Sequence, residues 1–330
     1  IRFKPDPELG RRFAERETAR LAARRESTSK DQLSELVENA KQLKLMQETP
    51  DSAEALEALP VLELKDLDKQ IRTIPIEEIQ IQDAKVLYHE LFTNGILYLD
   101  LGFDLRAMPQ ELLPLTEIFA RALFEMGTET EDYVKLSQRI GKSTGGIHGS
   151  AMAATIQKSR ESVAMLMIRG KSTVGKSTEM MNILRDVLLT TKFDNRERLK
   201  QIVLEEKSEL ESGLAPAGHR FANMRLRAQF GGTGWINDQT NGIGYLFALR
   251  ELANDIDKKW PQVLKKLEDM REALINAKTL LCNVTLDSAN WNTIRPHLEN
   301  FIFALPIKDV QLKDFETETK IEREGLAIPA

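Results

Sequence analysis

The sequence predicts an α+β fold: a helical hairpin arm, then a module with helices packed on one face of a mainly antiparallel sheet. Three observations carry this expectation. Residues 1–50 are dense in Arg, Glu, Lys and Ala and lack Trp. Two strand-like runs, Lys85–Phe92 and Ile96–Phe103, are joined through Thr93-Asn94-Gly95, and Asn-Gly between such runs is a strong hairpin signal. From there to residue 304, helix-period and strand-like stretches alternate.

In chain order, Asp6-Pro7 suits a helix start, since Asp can cap and Pro fits the first helical position. Ser29-Lys30-Asp31-Gln32 has the capping-box pattern. Leu33, Leu36, Val37, Ala40 and Leu43 then form one narrow apolar stripe, and Thr49-Pro50 stops the helix. A stripe this narrow predicts docking on a partner surface. Residues 51–83, punctuated by Pro60 and Pro75, read as an extended linker, and the globular part is expected from 84. A helix is expected over 109–126, and Thr128-Glu129-Thr130-Glu131 reads as a capping box for another over 132–140. Strands are expected at 144–150 and 163–169, then helices at 175–190, 195–213 and 257–275. A strand at 279–286 and a helix at 288–304 close the module.

With 42% hydrophobic and 29% charged residues, the chain has the balance of a globular protein able to bury a full core. A net charge of −5 argues against a nucleic-acid partner. No apolar run approaches the ~20 residues of a membrane span. The opening Ile1-Arg2-Phe3-Lys4-Pro5 has no initiator Met or signal-like region and reads as a cut inside a longer chain. Cys282 is the single cysteine, so no internal disulfide or thiolate zinc cluster can form. In a strand-like run it reads as a core residue.

Gly170-Lys171-Ser172-Thr173-Val174-Gly175-Lys176-Ser177 matches the phosphate-loop pattern letter for letter. β-Branched Thr173 and Val174 fit poorly where such a loop needs positive φ, and no metal-binding Asp follows at a suitable distance. The alternative is a strand-to-helix turn with Ser172 as cap. His89, His148, His219 and His297 are dispersed, so neither H-E-x-x-H nor its inverse can be built, and no metal ligands or catalytic residues are assigned. His89 is expected in a strand, half-exposed. His148 and His297 are expected at element ends, and His219 in a helix-start turn with a structural or capping role. Glu205-Glu206 and Glu209-Leu210-Glu211 read as solvated helix faces paired with Lys200 and Lys207. Gly145-Gly146 and Gly231-Gly232 read as bends.

An ordered series of stretches resembles the presequence protease and falcilysin branch of the insulinase-like, pitrilysin-type zinc metalloendopeptidases. It includes Gln47-Glu48-Thr49-Pro50-Asp51, Leu91-Phe92-Thr93-Asn94, Glu111-Leu112-Leu113-Pro114-Leu115 and Glu125-Met126-Gly127-Thr128. Ile140-Gly141-Lys142-Ser143-Thr144-Gly145-Gly146-Ile147, Arg169-Gly170-Lys171-Ser172, Gly242-Ile243-Gly244-Tyr245-Leu246 and Asn283-Val284-Thr285 continue it, within coverage from Pro5 to Pro329. The resemblance implies four α+β modules in two halves, joined by a helical hairpin and closing around peptides. This chain would supply the hairpin (1–50), the linker (51–83) and the third module (84–330), ending in a linker to a fourth. The zinc and its general-base glutamate would lie upstream of Ile1, and a further Arg and Tyr beyond Ala330, so this chain would bind no cofactor. Its expected partners are the remaining modules and unfolded peptides such as cleaved targeting sequences. Its expected place is the mitochondrial matrix or chloroplast stroma in a eukaryote, the cytoplasm in a bacterium. Two rival readings are a separate non-catalytic subunit serving as scaffold for a zinc-bearing partner, and a nucleotide-binding protein using residues 170–177.

Overall fold

The computed structural model describes residues 6–71, 73–159, 161–316 and 324–326. Ile1–Pro5 and Ala327–Ala330, which the sequence reading used as chain start and end, lie outside the described residues. The chain divides into two compact units, Ile1–Arg72 and Thr73–Ala330.

The first unit contains helices α1 (Leu9–Glu26) and α2 (Lys30–Glu48). Ser29 caps α2 through the expected box: the Gln32 amide donates to Ser29 Oγ (3.2 Å), and the Ser29 amide donates to Gln32 Oε1 (3.1 Å). Neither helix has a buried residue; Leu36 and Leu43 on the predicted stripe are 59% and 57% exposed. Local ion pairs such as Arg11–Glu15 and Arg20–Glu17 support α1 only weakly, because both partners are exposed to water. The stretch expected to be linker holds a short helix, α3 (Ala53–Glu57), capped by Ser52.

The second unit is built on a six-stranded sheet: β1 (Glu77–Ile81), β2 (Ala84–Glu90), β3 (Ile96–Asp104), β4 (Ile147–Thr155), β5 (Ser162–Thr173) and β6 (Leu280–Leu286), in spatial order β1-β2-β6-β3-β5-β4. The sheet thus begins at Glu77, ahead of the expected start at 84. β1 and β2 pair antiparallel around Gln82, which takes positive φ.

The hairpin expected between β2 and β3 does not form. Asn94 and Gly95 do take the positive φ of a tight turn (53° and 74°), yet β6 lies between the two strands, parallel to β2 and antiparallel to β3. Leu91–Gly95 is long enough to cross the two inter-strand spacings, about 9.5 Å, that this insertion requires. The periodicity of β6 explains why it is central. Leu280, Cys282, Val284 and Leu286 are buried and match Val86 and Tyr88 on one side and Leu99 and Leu101 on the other.

The helices pack over that apolar face. They are α4 (Thr116–Glu125), α5 (Tyr133–Ser143), α6 (Ser177–Thr190), α7 (Arg196–Leu214), α8 (Gly218–Ala228), α9 (Gly232–Asn241), α10 (Ile243–Lys258), α11 (Trp260–Leu274) and α12 (Ser288–Phe303). Trp291 of α12 stacks on Tyr88 with ring centroids 4.6 Å apart. Glycine at 149 lets α4 approach β4, since a Cβ there would meet Ala120 Cβ at 3.0 Å. The expected helix over 257–275 is two: α10 ends at Lys258 and α11 restarts at Trp260, with Pro261 in its first turn. The box expected at Thr128–Glu131 is a turn after Gly127 (φ 92°), and Asp132 caps α5 through the Val134 and Lys135 amides. Gly231-Gly232 begin α9 instead of bending a strand, whereas Gly146 (φ 106°) does bend the chain into β4.

This division predicts unequal sensitivity. Leu99→Ala, at a site 1% exposed in a central strand, should cost about 2–5 kcal/mol in denaturant unfolding. Leu36→Asp with Leu43→Asp should leave that transition within about 0.5 kcal/mol, because both sites are exposed.

Candidate functional site

The sheet has a second face, and polar side chains cross it. The register places Asn283 of β6 beside Asp100 of β3, Asp100 beside Arg169 of β5, and Arg169 beside His148 of β4. Asn283 bridges two neighbours: its Nδ2 donates to Asp100 Oδ2 (3.3 Å), and its Oδ1 lies 2.6 Å from His89 Nε2. His89 Nδ1 lies 2.8 Å from the Pro75 carbonyl, so the imidazole is held from both sides. Arg169 Nη1 turns toward Ser150 Oγ (3.3 Å), which leaves Asp100 without a cation partner among the described residues. Tyr98, 43% exposed, stands one pair further along β3 with Thr285 and Lys171 on either side. In the other direction Gly102 makes room for two thioethers, since a Cβ there would meet the sulfurs of Met165 and Met167 at 2.9 and 3.0 Å. The face offers hydrogen bonds, a carboxylate available to a cation, and soft apolar contact. It has the composition to hold an extended chain and lacks any activated nucleophile.

The histidines do not converge. His89 is half-buried in β2, as expected. His148 is exposed in β4, His219 is exposed in the first turn of α8, and His297 is exposed in the middle of α12. His148, the second residue of β4, is at an element end as expected, whereas His297 is not, and α8 has no side-chain cap that would give His219 the expected role. Among the described residues no group of three or more His, Cys, Asp or Glu could hold a metal ion. Cys282 is buried, and burial pushes its thiol pKa up, as for an inert core residue.

Residues 170–173 are strand and not loop. Gly170, Lys171, Ser172 and Thr173 pair with Leu99, Tyr98, Leu97 and Ile96, so their backbone belongs to the ladder. Only Val174–Lys176 turns, as a single 3-10 turn before α6. Ser172 is buried in the strand and caps nothing; Ser177 Oγ donates to the Val174 carbonyl instead.

A half-buried ionic cluster escaped the sequence reading. Glu117 of α4 accepts the Ala151 amide of β4 at 2.8 Å. Burial pushes its pKa up to about 7, the Glu206 charge adds to that, and the Ala151 hydrogen bond opposes it. Glu206 is not on a solvated face. It accepts from Arg121 (2.8 Å), which also pairs with Glu125 and Glu205. Lys207 pairs with Glu211, as expected, whereas Lys200 pairs with Asp257. The Tyr245 hydroxyl of α10 is buried beside this group, and burial drives its pKa up. Helical spacing alone cannot distinguish a Glu facing water from one facing another helix.

Comparison with known proteins places these features in a family context. The family described as peptidase M16 (subfamily C) associated matches residues 3–252. Presequence protease 1, chloroplastic/mitochondrial, of Arabidopsis thaliana is 33% identical over 93% of this chain and 28% of its own length. Protein HypA of Clostridium perfringens is 29% identical over 89% of this chain and 30% of its own. The mitochondrial presequence protease of Saccharomyces cerevisiae is 28% identical over 79% and 27%. The chain therefore spans less than a third of the length of these three relatives. Among solved structures, a peptidase M16 inactive domain from Pseudomonas fluorescens matches at TM-score 0.51 and 14% identity, covering 74% of this chain and 54% of its own. A conserved protein from Enterococcus faecalis matches at the same score and identity, over 73% and 55%. These two likenesses concern the fold alone.

Two outcomes follow from the site. ATP and GTP should bind no tighter than about 1 mM by calorimetry, and Lys176→Ala should change nothing. Glu117 has its folded pKa raised from 4.5 to about 7, so its contribution to stability is full below pH 4.5 and is lost as pH rises toward 7. Denaturation of the Glu117→Gln variant across that window should lack this fall.

Proposed function

The chain belongs to the peptidase M16 (subfamily C) associated family, and on that premise we propose that it is a non-catalytic central portion of a zinc metalloendopeptidase that degrades short unfolded peptides. In this reading residues 1–50 are the hairpin hinge, 51–83 the linker, and the following α+β unit a third module forming chamber wall. Zinc and its general base are held by other parts of the same protein. Those parts and unfolded peptides such as cleaved targeting sequences are the partners. The place is the mitochondrial matrix or chloroplast stroma in a eukaryote, the cytoplasm in a bacterium.

The observation that carries the reading is the second sheet face. A layer of helices seals one side of the sheet, while the other presents Tyr98, Asp100, Arg169 and Asn283 on rigid strands. An unfolded peptide needs such a surface: polar groups for its backbone, a carboxylate for a basic side chain, and no preference for one folded shape. The helices α1 and α2, neither with a buried residue, suit a hinge. Among the described residues no helix is long and apolar enough to cross a membrane.

The test is made in the full-length protein. A photo-crosslinking residue replacing Tyr98 should capture an unfolded basic peptide, and one replacing Glu268, exposed on α11, should not. Capture at Glu268 alone would overturn the assignment of the face. Asp100→Asn should raise KM for basic peptides at most about fivefold, as expected for one exposed ionic contact, and leave the metal content unchanged by elemental analysis.

A further inference from the structure

A cavity of about 780 Å³ lies among α7, α8 and α10, beside a small apolar cluster of Leu214, Phe221, Ile243 and Leu246 that is separate from the main core. Its walls include Leu226 and Phe247, and Glu324, Gly325 and Leu326 also line it. We propose that the α8 side of this cavity is a dock for an extended peptide segment and that the chain's own Glu324-Gly325-Leu326 is the segment it holds. Arg225 grips the carboxylate, and Leu326, 41% exposed, lies along the apolar lining.

The seat is built from inside the fold. Asp238 of α9 is fully buried and accepts the Ile243 and Gly244 amides at the start of α10 (3.2 and 3.3 Å). Glycine is required at 242 and 244, since a Cβ would stand 2.5 and 2.9 Å from the two Asp238 oxygens. Asp238 also accepts Arg225 Nη1 at 2.7 Å, which fixes one edge of the guanidinium. The other edge is aimed outward, and its Nε and Nη2 donate to the two oxygens of Glu324 at 2.6 and 2.8 Å. A planar fork anchored on one side selects a carboxylate on the other. The charge balance of the two partners agrees. α8 carries Arg220, Arg225 and Arg227 and no acidic residue, whereas in residues 314–324 Asp314, Glu316, Glu318, Glu322 and Glu324 outweigh Lys320 and Arg323. Glu324 itself has its pKa lowered, mainly by the hydrogen bonds from Arg225.

The dock is releasable, because an ion pair at the surface adds little to stability. Release would uncover the apolar cavity on the side that Glu324–Leu326 line.

Hydrogen exchange on the full chain tests this without disturbing the buried pair. Glu324→Gln and Leu326→Asp should each speed exchange of the α8 amides, by about two- to fivefold for the ionic change, with β3 unchanged. A synthetic peptide of residues 320–330, added to the Glu324→Gln chain, should restore α8 protection. The same peptide carrying Gln at the position of Glu324 should not. Unchanged α8 exchange in both variants would overturn the proposal. So would equal restoration by the two peptides, or protection by the peptide of β3 instead of α8.

Discussion

The position of β6 between β2 and β3 is the constraint from which the rest of the second unit follows. A strand near the end of the sequence fills the centre of a sheet whose neighbours lie almost two hundred residues earlier. Both edges of β6 need partners, because a buried strand cannot leave its amides and carbonyls unpaired. The sheet is therefore complete only when the long helical stretch between β5 and β6 has folded back over one face. That return path explains why the helices share a side, and why the apolar residues of β2, β3, β5 and β6 stand in register on that side.

Charge inside the helical layer does a second job. Asp238 caps α10 from within, and Glu117 ties α4 to the amide of Ala151 in β4. Each is a carboxylate used as a backbone acceptor, and each has an arginine close by in the same layer, Arg225 directly bonded and Arg121 one turn along α4. Burying such groups is costly unless hydrogen bonds replace water. In return they define how helices meet more sharply than apolar contact can.

Family membership and the polar sheet face point the same way. The donors of this chain are spread over separate elements, while its strands align polar groups in a continuous row. Under the function proposed above, a surface of this kind contributes positioning and exclusion to a larger protease whose chemistry resides elsewhere.

The sequence alone determined the class of fold, most of the elements and the family. Period-two runs such as Leu97–Phe103 and Leu280–Leu286 and capping residues such as Ser29 act over a few residues, so they are legible locally. It also showed that no zinc motif is present. Tertiary structure decided what depends on distant partners. Asn94-Gly95 makes the turn that its chemistry demands, but only the apolar faces of β2 and β3 decide that β6 enters between them. The residues of the phosphate-loop pattern are ambiguous until Ile96–Leu99 claims their backbone. Glu206 and Asp238 look like surface carboxylates until another helix is laid against them. Local propensity sets which elements form, and burial against residues remote in the chain sets how they pair and which charges they enclose.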